Sequence, residues 1–170
     1  MIKAALIYPG SQGIHPHHLD PLVLYQTAFS LLNLAVVPAW LMLLFAPRWQ
    51  VTRTLVHGGY YPVLYCVLYA GFLFAHLFLG AASPNASFTS LDGVMGLFDH
   101  PNGVLLGWTH YLAFDLFVGA WIGRDALRRG ITHWLAAPSM LLTFLLGPLG
   151  LLVYLAVRFF QGKDRLSLVE

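Results

Sequence analysis

The sequence predicts an all-α, polytopic membrane bundle of four transmembrane helices, with a short interfacial helix between the second and third. Three observations carry that expectation. The 170 residues are 58% hydrophobic and 9% charged, against about 25% charged in soluble domains. Mean hydropathy is +0.70. The apolar residues fall into long stretches separated by short polar connections, and about 20 such residues suffice to cross a bilayer. Net charge is only +2, and no basic run accompanies it, so nucleic-acid binding is excluded as a function class. The lone cysteine, Cys66, lies in an apolar run. It forms no disulfide within one chain and reads as a small buried hydrophobe.

Residues 1–21 read as an irregular leader, rich in Pro and Gly, in which His15, His17 and His18 cluster. No signal-peptide cleavage pattern precedes the first long apolar stretch. That stretch is therefore expected to be a retained anchor, in a chain starting at or near Met1. The transmembrane domain is expected over residues 22–160, followed by a polar tail at 161–170.

The first span is placed at about residues 22–46, with Asn33 near its midpoint and Pro47 closing it. Pro38 should kink it and free the Leu34 carbonyl. Arg48, Gln50, Thr52, Arg53 and His57 form a polar connection ending at Gly58-Gly59. The second span, about 60–80, has Pro62 in its first turn and carries His76 near its end. Between it and the third span, Phe88, Leu91, Val94, Met95, Leu97 and Phe98 recur at helical spacing, which suits a short interfacial helix. Gly93 and Gly96 oppose that assignment, and the Asn85-Ala86-Ser87 sequon reads as chance.

Asp99 and Pro101 offer a cap and first turn for the third span, about 103–123. A charged turn follows, carrying Arg124, Asp125, Arg128 and Arg129. The fourth span, about 136–157, is interrupted by Gly147-Pro148-Leu149-Gly150 and leaves through Arg158, Lys163 and Arg165. Four spans put both termini on one side. Weighing the arginines after spans one and three favours the non-cytoplasmic side for both.

The third span holds the feature around which the rest is read. A charge at the centre of a membrane helix costs about 2.5–3.5 kcal/mol on insertion scales, so intramembrane ionisable residues face a bundle interior and mark function. His110 and Asp115 are such residues, and both are candidates for acid/base catalysis. They lie about 7.5 Å apart along the helix and about 140° apart around it. They therefore share a wide cavity or face different neighbours. Asn33, His76 and Thr143 complete an expected inward-facing polar set, with the alternative that these groups only satisfy one another as interhelical hydrogen bonds. Trp108, Phe114, Phe117 and Trp121 offer a groove for a flat apolar ligand, or ordinary packing.

Metal chemistry finds little support, because no H-x-x-x-H or E-x-x-H spacing falls within a span. Facing histidines, His76 and His110, leave a haem open as an alternative. Neither a metal nor another cofactor is expected.

The run Trp108-Thr109-His110-Tyr111-Leu112-Ala113-Phe114-Asp115-Leu116-Phe117, the later Asp125, and Leu142-Thr143-Phe144 before Gly147-Pro148-Leu149-Gly150 resemble the abscisic-acid-deficient-four-like membrane family. The similarity covers about residues 26–157. The entry Asp99-His100-Pro101-Asn102 departs from the plant pattern. The resemblance implies a small helical membrane protein of carotenoid metabolism, whose plant members are neoxanthin synthases. These convert an epoxycarotenoid to an allenic one without net redox change. His110, Asp115 and Asp125 carry over as motif positions, the last with no role assigned.

Three functions follow from this reading. One is an isomerase acting on a carotenoid or other isoprenoid lipid, with membrane lipids as neighbours and a homo-oligomer compatible with the sequence. The second is a non-catalytic pigment- or lipid-binding or assembly protein. The third is a haem- or metal-containing redox protein.

Overall fold

The computed structural model describes residues 21–161, and among them the secondary structure is entirely helical. The first helix, α1 (Pro21–Phe45), contains Pro38. A single turn, α2 (Gln50–Thr52), runs into a π-helical turn at Arg53–His57. Then come α3 (Tyr60–Phe78), α4 (Leu91–Leu97), α5 (Pro101–Arg128), α6 (His133–Leu146) and α7 (Pro148–Phe160). The expected leader with its histidine cluster, and the tail with Lys163 and Arg165, lie outside the described residues.

Cross-helix contacts fix the directions. Asn33 meets Trp108 and Leu43 lies beside Gly123, so α1 and α5 run parallel. Asn102 reaches the Phe72 carbonyl and His57 lies on Gly123, so α3 runs antiparallel to α5. Close approach of α5 to its neighbours rests on two small-x-x-x-small pairs that sequence inspection passed over. Within lipid, association depends on such packing rather than on hydrophobic transfer. Gly103 lies against the Leu97 backbone and Gly107 against the Phe98 ring. About three turns further along α5, a Cβ at Gly119 would stand 2.5 Å from the Trp40 indole, and one at Gly123 2.9 Å from the His57 ring. Leu43, Val56, Leu116, Ile122 and Met140 fill the space between.

The short helix α4 forms where one was expected between the second and third spans, capped by the Ser90 hydroxyl accepting from Gly93 N–H at 3.1 Å. The glycines that argued against it are its packing face. Gly93 sits on Ser87, and Gly96 on the Asn85 carbonyl. At the entry to α5, His100 and not Asp99 is the cap, with Nδ1 accepting from Asn102 N–H. Cys66 is exposed on α3, contrary to the expected buried position.

The fourth span is the main departure. Three helices, α1, the stretch Gln50–Phe78 and α5, are long and apolar enough to cross a membrane. Helices α6 and α7 are 14 and 13 residues long, too short to do so singly. Nor do they stack end to end. Gly150 lies against Thr143 and the Ser139 carbonyl, whereas in a continuous helix eleven residues would separate Gly150 from Ser139 by about 16 Å. The chain therefore reverses at Gly147 (φ 48°, ψ −101°) and forms a helical hairpin. Both outer ends of the hairpin return to the C-terminal end of α5: His133 bonds to the Leu44 carbonyl, and Tyr154 and Arg158 meet Asp125. Pro21 and Gln161 consequently lie at opposite ends of the bundle. The arrangement expected from four full spans, with both ends on one side, is not the one formed.

Candidate functional site

Asp115 is the buried ionisable group of the bundle's middle. It sits halfway along α5 at 8% exposure, and its Oδ2 has no hydrogen-bond partner among the described residues. Such an orphan is costly in a low-dielectric interior, which makes it a functional marker. The tip of the α6–α7 hairpin covers it. A Cβ at Gly147 would stand 2.7 Å from Asp115 Oδ1, so only glycine allows this approach. Gly147 is also the N-cap of α7, so the carboxyl group lies at the start of a half-helix, halfway along the membrane-length helix α5. Broken helices at this depth are tolerated where protein buries the freed backbone, and their ends serve as polar sites.

A line of side chains leads away from Asp115 along one face of α5. Tyr111, four residues earlier, brings its hydroxyl within reach of the carboxyl group and 3.5 Å from the Phe144 carbonyl. Trp108 stacks on Tyr111 with centroids 5.3 Å apart. The Trp108 indole N–H donates to Asn33 Oδ1 at 3.2 Å, while Asn33 Nδ2 donates back to the Phe29 carbonyl at 2.7 Å. Phe29 packs against Trp108 and lines a cavity of about 440 Å³ between α1 and α5, with Tyr25, Gln26, Ser30, Val104 and Leu105. Asn33, Trp108 and Asp115 thus belong to one seam. Tyr111 is the member that sequence inspection missed. Its signal was present, because positions 108, 111 and 115 lie on one helical face at intervals of three and four.

Other expected members stand elsewhere. His110 is exposed on the outer face of α5, between Tyr69 (5.6 Å) and Phe114 (4.6 Å). It does not share a cavity with Asp115, because the five-residue offset turns the two onto different sides of the helix. Phe114 is 57% exposed on that same outer face, so it does not line the seam. His76 is buried near the end of α3. Because Tyr69 is the α3 residue level with His110, His76 lies about 10 Å further along the bundle, and the two histidines do not form an axial pair. Among the described residues, no group of three or more His, Cys, Asp and Glu side chains is placed to hold a metal. Thr143 is fully buried inside the hairpin, donating to the Ser139 carbonyl at 2.9 Å, and contacts Gly150 instead of a cavity.

Trp121 and Asp125 form a second centre at the C-terminal end of α5. Asp125, 1% exposed, accepts from Arg128 (2.6 Å), Arg129 (2.9 Å) and the Tyr154 hydroxyl (2.7 Å). Arg158, equally buried, approaches it at 3.4 Å and lies over the Trp121 ring, which also meets Tyr154 edge-on. These contacts bind α7 to α5, and they are what turns the hairpin back.

Spanning-length helices enclosing a buried carboxyl group under a broken-helix tip define an all-helical membrane protein. It belongs to the ABA DEFICIENT 4-like family, whose model matches residues 27–154. No curated protein and no solved structure matches the chain.

Proposed function

We propose that the protein binds a carotenoid-like isoprenoid in the membrane and isomerises it, with Asp115 as the proton donor. The observation that carries this reading is the unpartnered Asp115 oxygen at the hairpin tip. Family membership supports the substrate class, through the resemblance to neoxanthin synthases. The α1/α5 cavity supports an apolar end group with one or two hydroxyls, because Gln26, Ser30 and Asp99 stand among its aromatic and aliphatic walls. About 15 Å of helix separates Leu105 in that cavity from Asp115, a distance suited to an extended polyene and too long for a compact ligand.

Opening an epoxide to an allenic alcohol requires a proton delivered to oxygen and another removed from carbon, with no change in total charge. A protonated Asp115 supplies the first, Tyr111 orients it, and the Asp115 carboxylate so formed takes up the carbon-bound proton, which restores the acid. His110 would serve as the acceptor only for a substrate that also crosses the outer face of α5. The deciding experiment compares Asp115→Asn with the parent protein for pigment binding and turnover. Binding retained with turnover lost supports the isomerase. Turnover retained removes Asp115 from the chemistry, and pigment bound unchanged by both proteins favours a pigment-binding role.

A further inference from the structure

Every arginine and lysine among the described residues lies at one end of the bundle: Arg48, Arg53, Arg124, Arg128, Arg129 and Arg158. Among the described residues the only carboxylate at that end is Asp125, which is occupied by Arg128, Arg129 and Arg158. Arg48, Arg53 and Arg124 therefore have no acidic partner among the described residues. Four of these arginines, Arg48, Arg53, Arg124 and Arg128, converge on one cavity of about 640 Å³, together with His57 and Leu127.

The cavity is built by specific features of the chain. The π-helical turn at Arg53–His57 carries Arg53 and His57 into it, and such turns occur often at functional sites. Gly58 lies directly over the Thr54 carbonyl, where no side chain fits, and closes the turn. The His57 ring rests on Gly123, and Arg124 is held by donating to the His57 carbonyl at 3.1 Å. Trp49 (56% exposed) and Trp134 (78% exposed) stand at the same end, the placement tryptophan takes at headgroup depth. A cleft lined by four arginines together with the apolar Pro47 and Leu127, beside those tryptophans, matches a phosphate group attached to acyl chains.

We propose that this cleft binds the phosphate of an anionic phospholipid, held chiefly by Arg48, Arg53 and Arg124. The site is separate from Asp115 and does not depend on what that residue does. The test uses the full-length protein in a neutral detergent, following thermal unfolding with added phosphatidylglycerol, phosphatidylcholine or inorganic phosphate. Phosphatidylglycerol should raise the melting temperature, phosphatidylcholine should not, and inorganic phosphate at equal concentration should have little effect. The exposed pair Arg48→Gln/Arg53→Gln should unfold as the parent does without lipid and bind phosphatidylglycerol more weakly, by about fivefold for each arginine. Equal shifts with the two lipids, or an undiminished shift in the double variant, would overturn the proposal. A shift with inorganic phosphate matching that with phosphatidylglycerol would reassign the cleft to a free anion. Should the double variant not fold, a salt titration of the parent decides, because binding indifferent to ionic strength excludes an arginine-held phosphate.

Discussion

Gly147 lies against the Asp115 carboxyl group so closely that a Cβ there would stand 2.7 Å from Oδ1. Thirty-two residues apart in the chain, the two meet because α6 descends only halfway along α5 before the backbone reverses. The contact sets the depth of the hairpin and covers the carboxyl group.

Gly147→Ala should therefore be harmful twice over. Its φ of 48° with ψ of −101° strains any residue with a side chain, at about 1–3 kcal/mol, and the methyl group would push on Asp115. A lower unfolding midpoint in detergent is expected. A midpoint equal to that of the parent would mean that the reversal is not held as described.

Asp125→Asn should be among the most damaging substitutions in the protein. It removes the charge shared by Arg128, Arg129 and the buried Arg158, and breaking a buried pair costs about 3–5 kcal/mol. Tyr154→Phe removes one hydrogen bond to the same carboxylate and should cost about 1.5–3 kcal/mol. Hydrogen exchange should rise first in α6 and α7, since Asp125 ties that hairpin to α5. A uniform rise across the bundle would contradict this role.

Asn33 and Trp108 should be coupled. A double-mutant cycle of Asn33→Ala and Trp108→Phe, read by unfolding, should give a coupling of about 0.6 kcal/mol, typical of interhelical hydrogen bonds in lipid. Strict additivity would show that the 3.2 Å contact contributes nothing.

His110→Ala should leave folding intact, because the ring lies on the outer face beside Tyr69 and Phe114. Under the proposed isomerisation it should also keep most turnover, unlike Asp115→Asn. Loss of turnover with intact folding would return His110 to the reaction.

The arginine-rich end is expected to face the cytoplasm by the positive-inside rule. In a Cys66→Ser background, a membrane-impermeant maleimide added outside should label Thr89→Cys and spare Thr54→Cys, both exposed positions at opposite ends. The reverse pattern would invert the orientation.

Much of this protein is legible in the sequence. Hydropathy and the punctuation by Pro and Gly are local properties, so the all-helical membrane class, the long apolar helices α1, α3 and α5, the short helix before α5 and the family motif can be read from neighbouring residues. Asp115 can also be singled out, since a carboxyl group central in a long apolar stretch is costly unless the bundle shields it. What only the tertiary structure decided is direction and rotation. Whether α6 and α7 stack or fold back depends on one backbone conformation at Gly147, and on Tyr154 and Arg158 reaching Asp125 across some thirty residues. Which side of α5 turns inward is set by the glycine faces that seat Trp40 and Phe98. That rotation places Trp108, Tyr111 and Asp115 in the seam and leaves His110 outside it. Such choices are made by contacts between distant parts of the chain, and no local pattern encodes them.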